Sequence, residues 1–198
     1  MTRILTEAET ITKLPDFHWT LERYHAAIAA GVFSDDDKVE LLFGKIVPTS
    51  PIGVLHGKAV KHLARYFIER FPQENYTIGV QDPVTLVDDS EPKPDLFVAQ
   101  GPLVNYDHHP HPEDLLLVVE VSDSTLLRDR TAKKFSYAVA GVVEYWIVTV
   151  YEKQVERFTD PRPAEGTYTK QEIIKAGETF TSLHLGNFTV DDLLVASA

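Results

Sequence analysis

The chain has no cysteine in its 198 residues. That excludes a disulfide scaffold, a thiolate nucleophile and every cysteine-ligated zinc or iron–sulfur site, so any metal chemistry must use carboxylates or histidines. Basic residues are also scarce: 19 Lys and Arg face 30 Asp and Glu, a formal net charge of −11. That sign is wrong for gripping nucleic acid over a broad surface, and a polyanion would have to meet a local basic patch. Long apolar runs are missing. The longest, Ala138 to Val150, is interrupted by Glu144 and too short to cross a bilayer. The opening MTRILTEAET lacks the basic-then-apolar order of a secretory leader. The expectation is a cytoplasmic protein without a membrane anchor. Repeats, linkers, a Gly-x-Ser-x-Gly elbow and a phosphate-binding glycine loop are absent as well.

What is present is the composition of a folded protein, 43% hydrophobic and 25% charged, in a length suited to one domain over residues 1–198. Trp19 to Ala30 reads as a helix with Thr20 as N-cap and Gly31 to end it. Val39 to Phe43 and Lys45 to Pro48 read as a hairpin about Gly44. From Gly57 to Phe71, Val60, Leu63, Ala64, Phe67 and Phe71 recur at helical offsets, with Lys58, Lys61 and Arg65 on another face. Strands are expected at Tyr76 to Val87, broken at Asp82-Pro83, at Asp95 to Ala99, and at Leu115 to Val121, whose LLLVVEV suits an interior strand. A helix over Leu126 to Ala140, a strand over Val143 to Val150, antiparallel strands in TYTKQEIIKAG and ETFTSL about a glycine turn, and a short helix near Asp191 complete the chain. The pattern is mixed α/β with a largely buried sheet.

Glu120 is the most informative residue, because it interrupts an apolar strand where desolvation would normally exclude a carboxylate. Strand alternation puts it on one face with Leu116, Val118 and Ser122. Asp95 follows Pro94 and leads straight into Leu96-Phe97-Val98. Two carboxylates at the ends of adjacent interior strands repel unless one holds a proton or a cation sits between them. Hard oxygen ligands suit Mg2+ or Mn2+, and such an ion can activate a water and neutralise charge growing on phosphate oxygens. The competing reading has Asp95 capping a turn and Glu120 paired with a buried base.

Pro94-Asp95, followed about 25 residues later by Glu120-Val121-Ser122, resembles the PD-(D/E)xK nuclease signature with serine in the usual lysine position. More specifically, VELLFGKIV, SPIGVLH, QDPVTL, SEPKPDLFV, LLLVVEVSDSTL, the Asp129–Lys133–Tyr137 spacing and GVVEYWIV resemble the Uma-type family of restriction-endonuclease-like proteins from Trp19 to Val150. The resemblance implies a restriction-endonuclease-like mixed sheet flanked by helices, with an N-terminal helix and hairpin and a C-terminal antiparallel extension. It implies a magnesium-dependent nuclease site in which Asp95 and Glu120 are metal ligands. Glu40 joins them directly or through water, and Lys133, displaced onto the following helix, stabilises the transition state. One departure is Val148-Thr149, where members commonly carry an aspartate.

Other candidates are less specific. His56 lies on the Val60–Leu63 side of its helix, either as a helix-start histidine bonded to backbone, the preferred reading, or facing the site as a proton shuttle or phosphate contact. Lys58, from the basic segment Lys58 to Arg70, and Arg130, from the basic segment Arg128 to Lys134, are the other candidate substrate contacts. Lys133 has the alternative of a helical ion pair with Asp129, and Lys134 beside it leaves a one-residue ambiguity. Asp107-His108-His109-Pro110-His111 fits an exposed loop better than a metal cluster. Tyr24, Tyr145 and Trp146 read as core or rim aromatics. The expected activity is magnesium- or manganese-dependent phosphodiester hydrolysis by an activated water, with DNA as substrate and homodimerisation expected by analogy. The alternative is a noncatalytic nucleic-acid or protein interaction module on the same fold.

Overall fold

The computed structural model describes residues 17–34, 36–49, 53–87, 89–123 and 125–195. The MTRILTEAET reading lies outside them. Helix α1 (Leu21–Ala29) starts where Thr20 accepts a bond from the Arg23 amide, an ordinary N-cap. Strands β1 (Val39–Leu42) and β2 (Lys45–Pro48) form the expected hairpin. Gly44 at its tip has φ +69°, and a Cβ there would lie 2.2 Å from the His18 ring, so both the turn and this close approach require glycine. Helix α2 (Val54–Arg70) begins three residues before the apolar stripe predicted.

The main sheet holds six strands in the order β3 (Tyr76–Gly79), β4 (Leu96–Gln100), β5 (Leu115–Ser122), β6 (Glu144–Thr149), β7 (Gln154–Arg162) and β8 (Thr167–Lys175). Among the described residues only β5 and β6 run parallel in this sheet. Their crossover is helical: α3 (Leu126–Arg128), a π-helical turn (Asp129–Lys133) and α4 (Lys134–Ala140), which Gly141 ends at φ +81°. This is the mixed α/β sheet flanked by helices that the sequence predicts.

Both sheet faces are covered, which is why β5 is apolar on either side. Ala59, Val60, Leu63 and Phe67 of α2 pack on Leu117, Val119, Val121 and Trp146, and Phe188 and Leu193 join them. On the other face Tyr137 and Val142 meet Val118, Tyr145, Ile147 and Phe158. Phe67 is fully buried, and truncating it to alanine would cost about 3–5 kcal/mol. Two expectations need correction. The long strand read over Tyr76 to Val87 stops at Gly79, beyond which Gln81 adopts φ +56°. The ETFTSL segment does not pair with β8 across Gly177. It forms β9 (Thr179–Ser182), which pairs with β10 (Gly186–Thr189) ahead of α5 (Val190–Leu193), while β8 pairs with β7. Among the described residues no helix is long and apolar enough to cross a membrane.

Candidate active site

The register Leu96↔Val119 and Phe97↔Val118 continues by one step to bring Asp95 beside Glu120. The contact is made through the backbone: Asp95 Oδ2 accepts the Val121 amide at 2.9 Å. Gln81 Nε2 donates to Asp95 Oδ1 at 3.2 Å, and the left-handed turn at Gln81 brings that side chain back over the strand end. His56 Nε2 lies 3.0 Å from the same oxygen, without the alignment of a hydrogen bond. The ring therefore faces a carboxylate, which corrects the preferred reading of a backbone-bonded helix-start histidine.

Lys133 stands on the π-helical turn, where the widened helix presents its side chain to the sheet. Its Nζ donates to Glu120 Oε1 at 2.8 Å and lies 3.8 Å from Glu40 Oε2. Tyr137 donates to the same Glu120 oxygen at 2.9 Å. Glu40, on β1, accepts the Lys93 amide at 3.1 Å, and Arg128 approaches its other oxygen at 3.9 Å. Glu40, Asp95, Glu120 and Lys133 are each at most 7% exposed. All four, with His56 and Gln81, line one cleft of about 460 Å³.

Charge in this cleft is unbalanced. A fourth buried carboxylate, Asp129, held by Thr125 Oγ1 at 2.6 Å, shares the lining. Burial pushes the carboxyls of Asp95, Glu120 and Asp129 above their ordinary range, Glu120 furthest, and Lys133 only partly offsets it. Burial alone would lower the Lys133 ammonium, but Glu120 and Glu40 outweigh that and hold it above its usual value. Among the described residues four buried acids thus face one buried lysine, and Glu40 Oε1 is buried without a hydrogen-bond partner. Among the described residues no three His, Asp or Glu groups close on one point that could hold a metal ion. The donor set does fit a hard divalent cation held by one or two carboxylates with water completing its shell, the habit of magnesium.

The remaining candidates separate. Arg130 is outside the cleft lining, its guanidinium paired in a fork with buried Glu156 of β7. Lys58 is exposed on α2 and does not line the cleft. Lys134 places its ammonium 5.2 Å from the Phe158 ring, so Lys133 alone of the pair turns to the acids. The histidine loop borders a separate hollow with His25 and Tyr106. Sequence reasoning missed Gln81 and Asp129. The QDPVTL segment carried the first, and the Asp129–Lys133 spacing already contained the second.

The Uma2 family, described as "Putative restriction endonuclease", matches residues 21–193. A solved structure described as a putative nuclease belonging to DUF820, from Anabaena variabilis, superposes with a TM-score of 0.64 at 13% identity. The match covers 88% of this chain and 96% of that one, and at this identity it shows a shared fold. The curated proteins contain no match.

Proposed function

Because the chain belongs to the Uma2 family, we propose that its cleft is the active centre of a divalent-metal-dependent endonuclease that hydrolyses phosphodiester bonds in DNA. The observation that carries the reading is the meeting of Glu40, Asp95, Glu120 and Lys133 in one cleft from four separate segments of chain. Buried charge on this scale is costly for stability alone, since a well-packed apolar cluster does as well or better. A functional requirement explains its retention.

Asp95 and Glu120 would hold the cation, Mg2+ or Mn2+, and Glu40 would join them directly or through water. When bound, the ion supplies neutralisation of the phosphate and a lowered pKa for water. The side chains do the rest. Gln81 and the Val121 amide fix Asp95 in orientation. Glu120, itself held by the Tyr137 hydroxyl, keeps the Lys133 ammonium in place, where it can stabilise negative charge developing on the phosphoryl oxygens. His56, against Asp95 at the cleft wall, is suited to contact a phosphate or take up a proton at Nε2.

The net charge of −11 favours a second reading, a module that binds its partner without turnover. One experiment separates the two. Purified chain is incubated with Mg2+ or Mn2+ and a panel of single-stranded, gapped and duplex DNA, beside Asp95→Ala/Glu120→Ala. Cleavage by the wild type alone supports the nuclease, whereas binding without cleavage supports the module.

A further inference from the structure

An aromatic track leads from the surface into the acidic cleft. Phe17, 62% exposed, meets Trp19 at 5.5 Å between ring centroids; Trp19 meets Phe33 at 6.3 Å, and Phe33 meets Tyr24 at 6.0 Å. Phe33, Tyr24 and Ile28 belong to the lining of the same cleft that holds Glu40, Asp95 and Glu120. The segment is anchored: the Trp19 amide donates to Gly44 O at 2.8 Å, and His18 bonds Asp89 at 2.8 Å. Lys38, Lys93 and Arg128 share the lining and are at least partly exposed. The cleft therefore has an apolar aromatic wall, a few bases near the solvent and buried acids.

These features match one form of nucleic acid better than another. A volume of about 460 Å³ lies low in the range of roughly 300–1,000 Å³ that holds one small ligand, room for about one nucleotide. Side chains that are at most 7% exposed are reached more readily by a strand released from pairing than by a phosphate held on the outside of a base-paired helix. The bases of such a strand then need a surface on which to stack. Aromatic rings supply such a surface without regard to sequence. The net charge of −11 points the same way, because it disfavours a broad electrostatic grip on a duplex and leaves a few local contacts plus stacking.

We propose that the substrate is DNA with an unpaired stretch, threaded so that one base stacks on Phe33 at the cleft wall and another on Phe17 or Trp19 outside it, while a phosphate of the same strand enters the acidic cleft. This rests on the nuclease reading and narrows its substrate class.

The test measures anisotropy of a labelled 20-nucleotide strand, the same strand as a blunt duplex, and a duplex with a short gap. Wild type, Phe33→Ala, Phe33→Trp and Phe17→Ala are compared, with thermal melting to establish folding. The single strand and the gapped duplex are expected to bind at least about tenfold tighter than the blunt duplex. Phe33→Ala should lose about tenfold on the single strand, and Phe33→Trp should restore it. Phe17, largely in solvent, gives a second variant that folds independently of cleft packing and should lose about fivefold. Binding to the single strand should also weaken as salt is raised. Equal affinity for blunt duplex, or single-strand binding indifferent to both phenylalanines, overturns the proposal. Metal-dependent cleavage of blunt duplex at the single-strand rate overturns it while leaving the nuclease reading intact; no binding and no cleavage of any substrate overturns both.

Discussion

Lys133 and Glu120 are 13 residues apart in the chain and 2.8 Å apart in space, joined by a buried hydrogen bond between ammonium and carboxylate. The lysine is carried by a π-helical turn and the glutamate by a central strand. A pair so deeply buried is weak evidence for stability but strong evidence for position, since its charges pay a desolvation cost that apolar residues would not.

Lys133→Met should cut DNA cleavage by about 10²–10³-fold, the usual cost of losing one group that stabilises developing charge. The same change leaves Glu120 and Glu40 without their buried cation, so urea unfolding should show a loss of about 3–5 kcal/mol in metal-free buffer. Single-turnover rates and equilibrium unfolding on the same preparation check both numbers. Unchanged cleavage with lowered stability would make Lys133 purely structural.

The cleft should also impose an unusual pH dependence. Asp95, Glu120 and Asp129 have folded-state pKa values raised by burial, so between the ordinary carboxyl range near about 4 and those raised values the folded state binds more protons than the unfolded. Their contribution to stability is therefore present at low pH and lost as pH rises through the folded values. Metal-free wild type should gain stability relative to Glu120→Gln on acidification from about pH 7 to pH 5. A divalent cation competes with those protons, so the stabilisation it gives should shrink over the same interval. Urea midpoints with EDTA and with Mg2+ across the range measure the two opposing slopes.

Glu144 tests the scaffold separately from the site. Its fully buried carboxylate accepts from Trp146 Nε1 at 2.9 Å, Arg157 Nε at 2.7 Å, Ser182 Oγ at 2.7 Å and the Leu183 amide at 2.8 Å. It ties the β9 end to the main sheet. Glu144→Ala should cost about 3–5 kcal/mol, since Arg157 is left buried and under-compensated. Cleavage measured well below the melting temperature should stay within a few-fold of wild type. A loss of cleavage as large as that of Lys133→Met would mean that the C-terminal hairpin contributes to the centre.

Much of the fold was legible because its signals are local. Gly44 between two short apolar runs marks the first hairpin, and LLLVVEV marks a strand covered on both faces. Glu120 stood out because nothing local compensates a carboxylate there. What failed depends on long-range pairing. The β7 strand QVERFTDPR carries Glu156, which captures Arg130 from the basic segment, and no local pattern near Arg130 signals this. Likewise β9 finds β10 rather than β8, because Phe180 and Phe188 pack on Trp146 and draw the hairpin onto the core. His56 looked like an ordinary helix-start residue because its partner, Asp95, comes from another element.

The most direct measurement is calorimetric titration of metal-free protein with Mn2+ and with Mg2+, run on wild type and on Asp95→Ala/Glu120→Ala, with melting temperature recorded at each ratio. The account predicts saturable binding by wild type and, at a hundredfold excess over Kd, stabilisation of about 2.7 kcal/mol. For a chain of this size that is a rise of about 5–10 °C, and both signals should vanish in the double variant. Equal binding by the double variant, or no binding by the folded wild type, would contradict it.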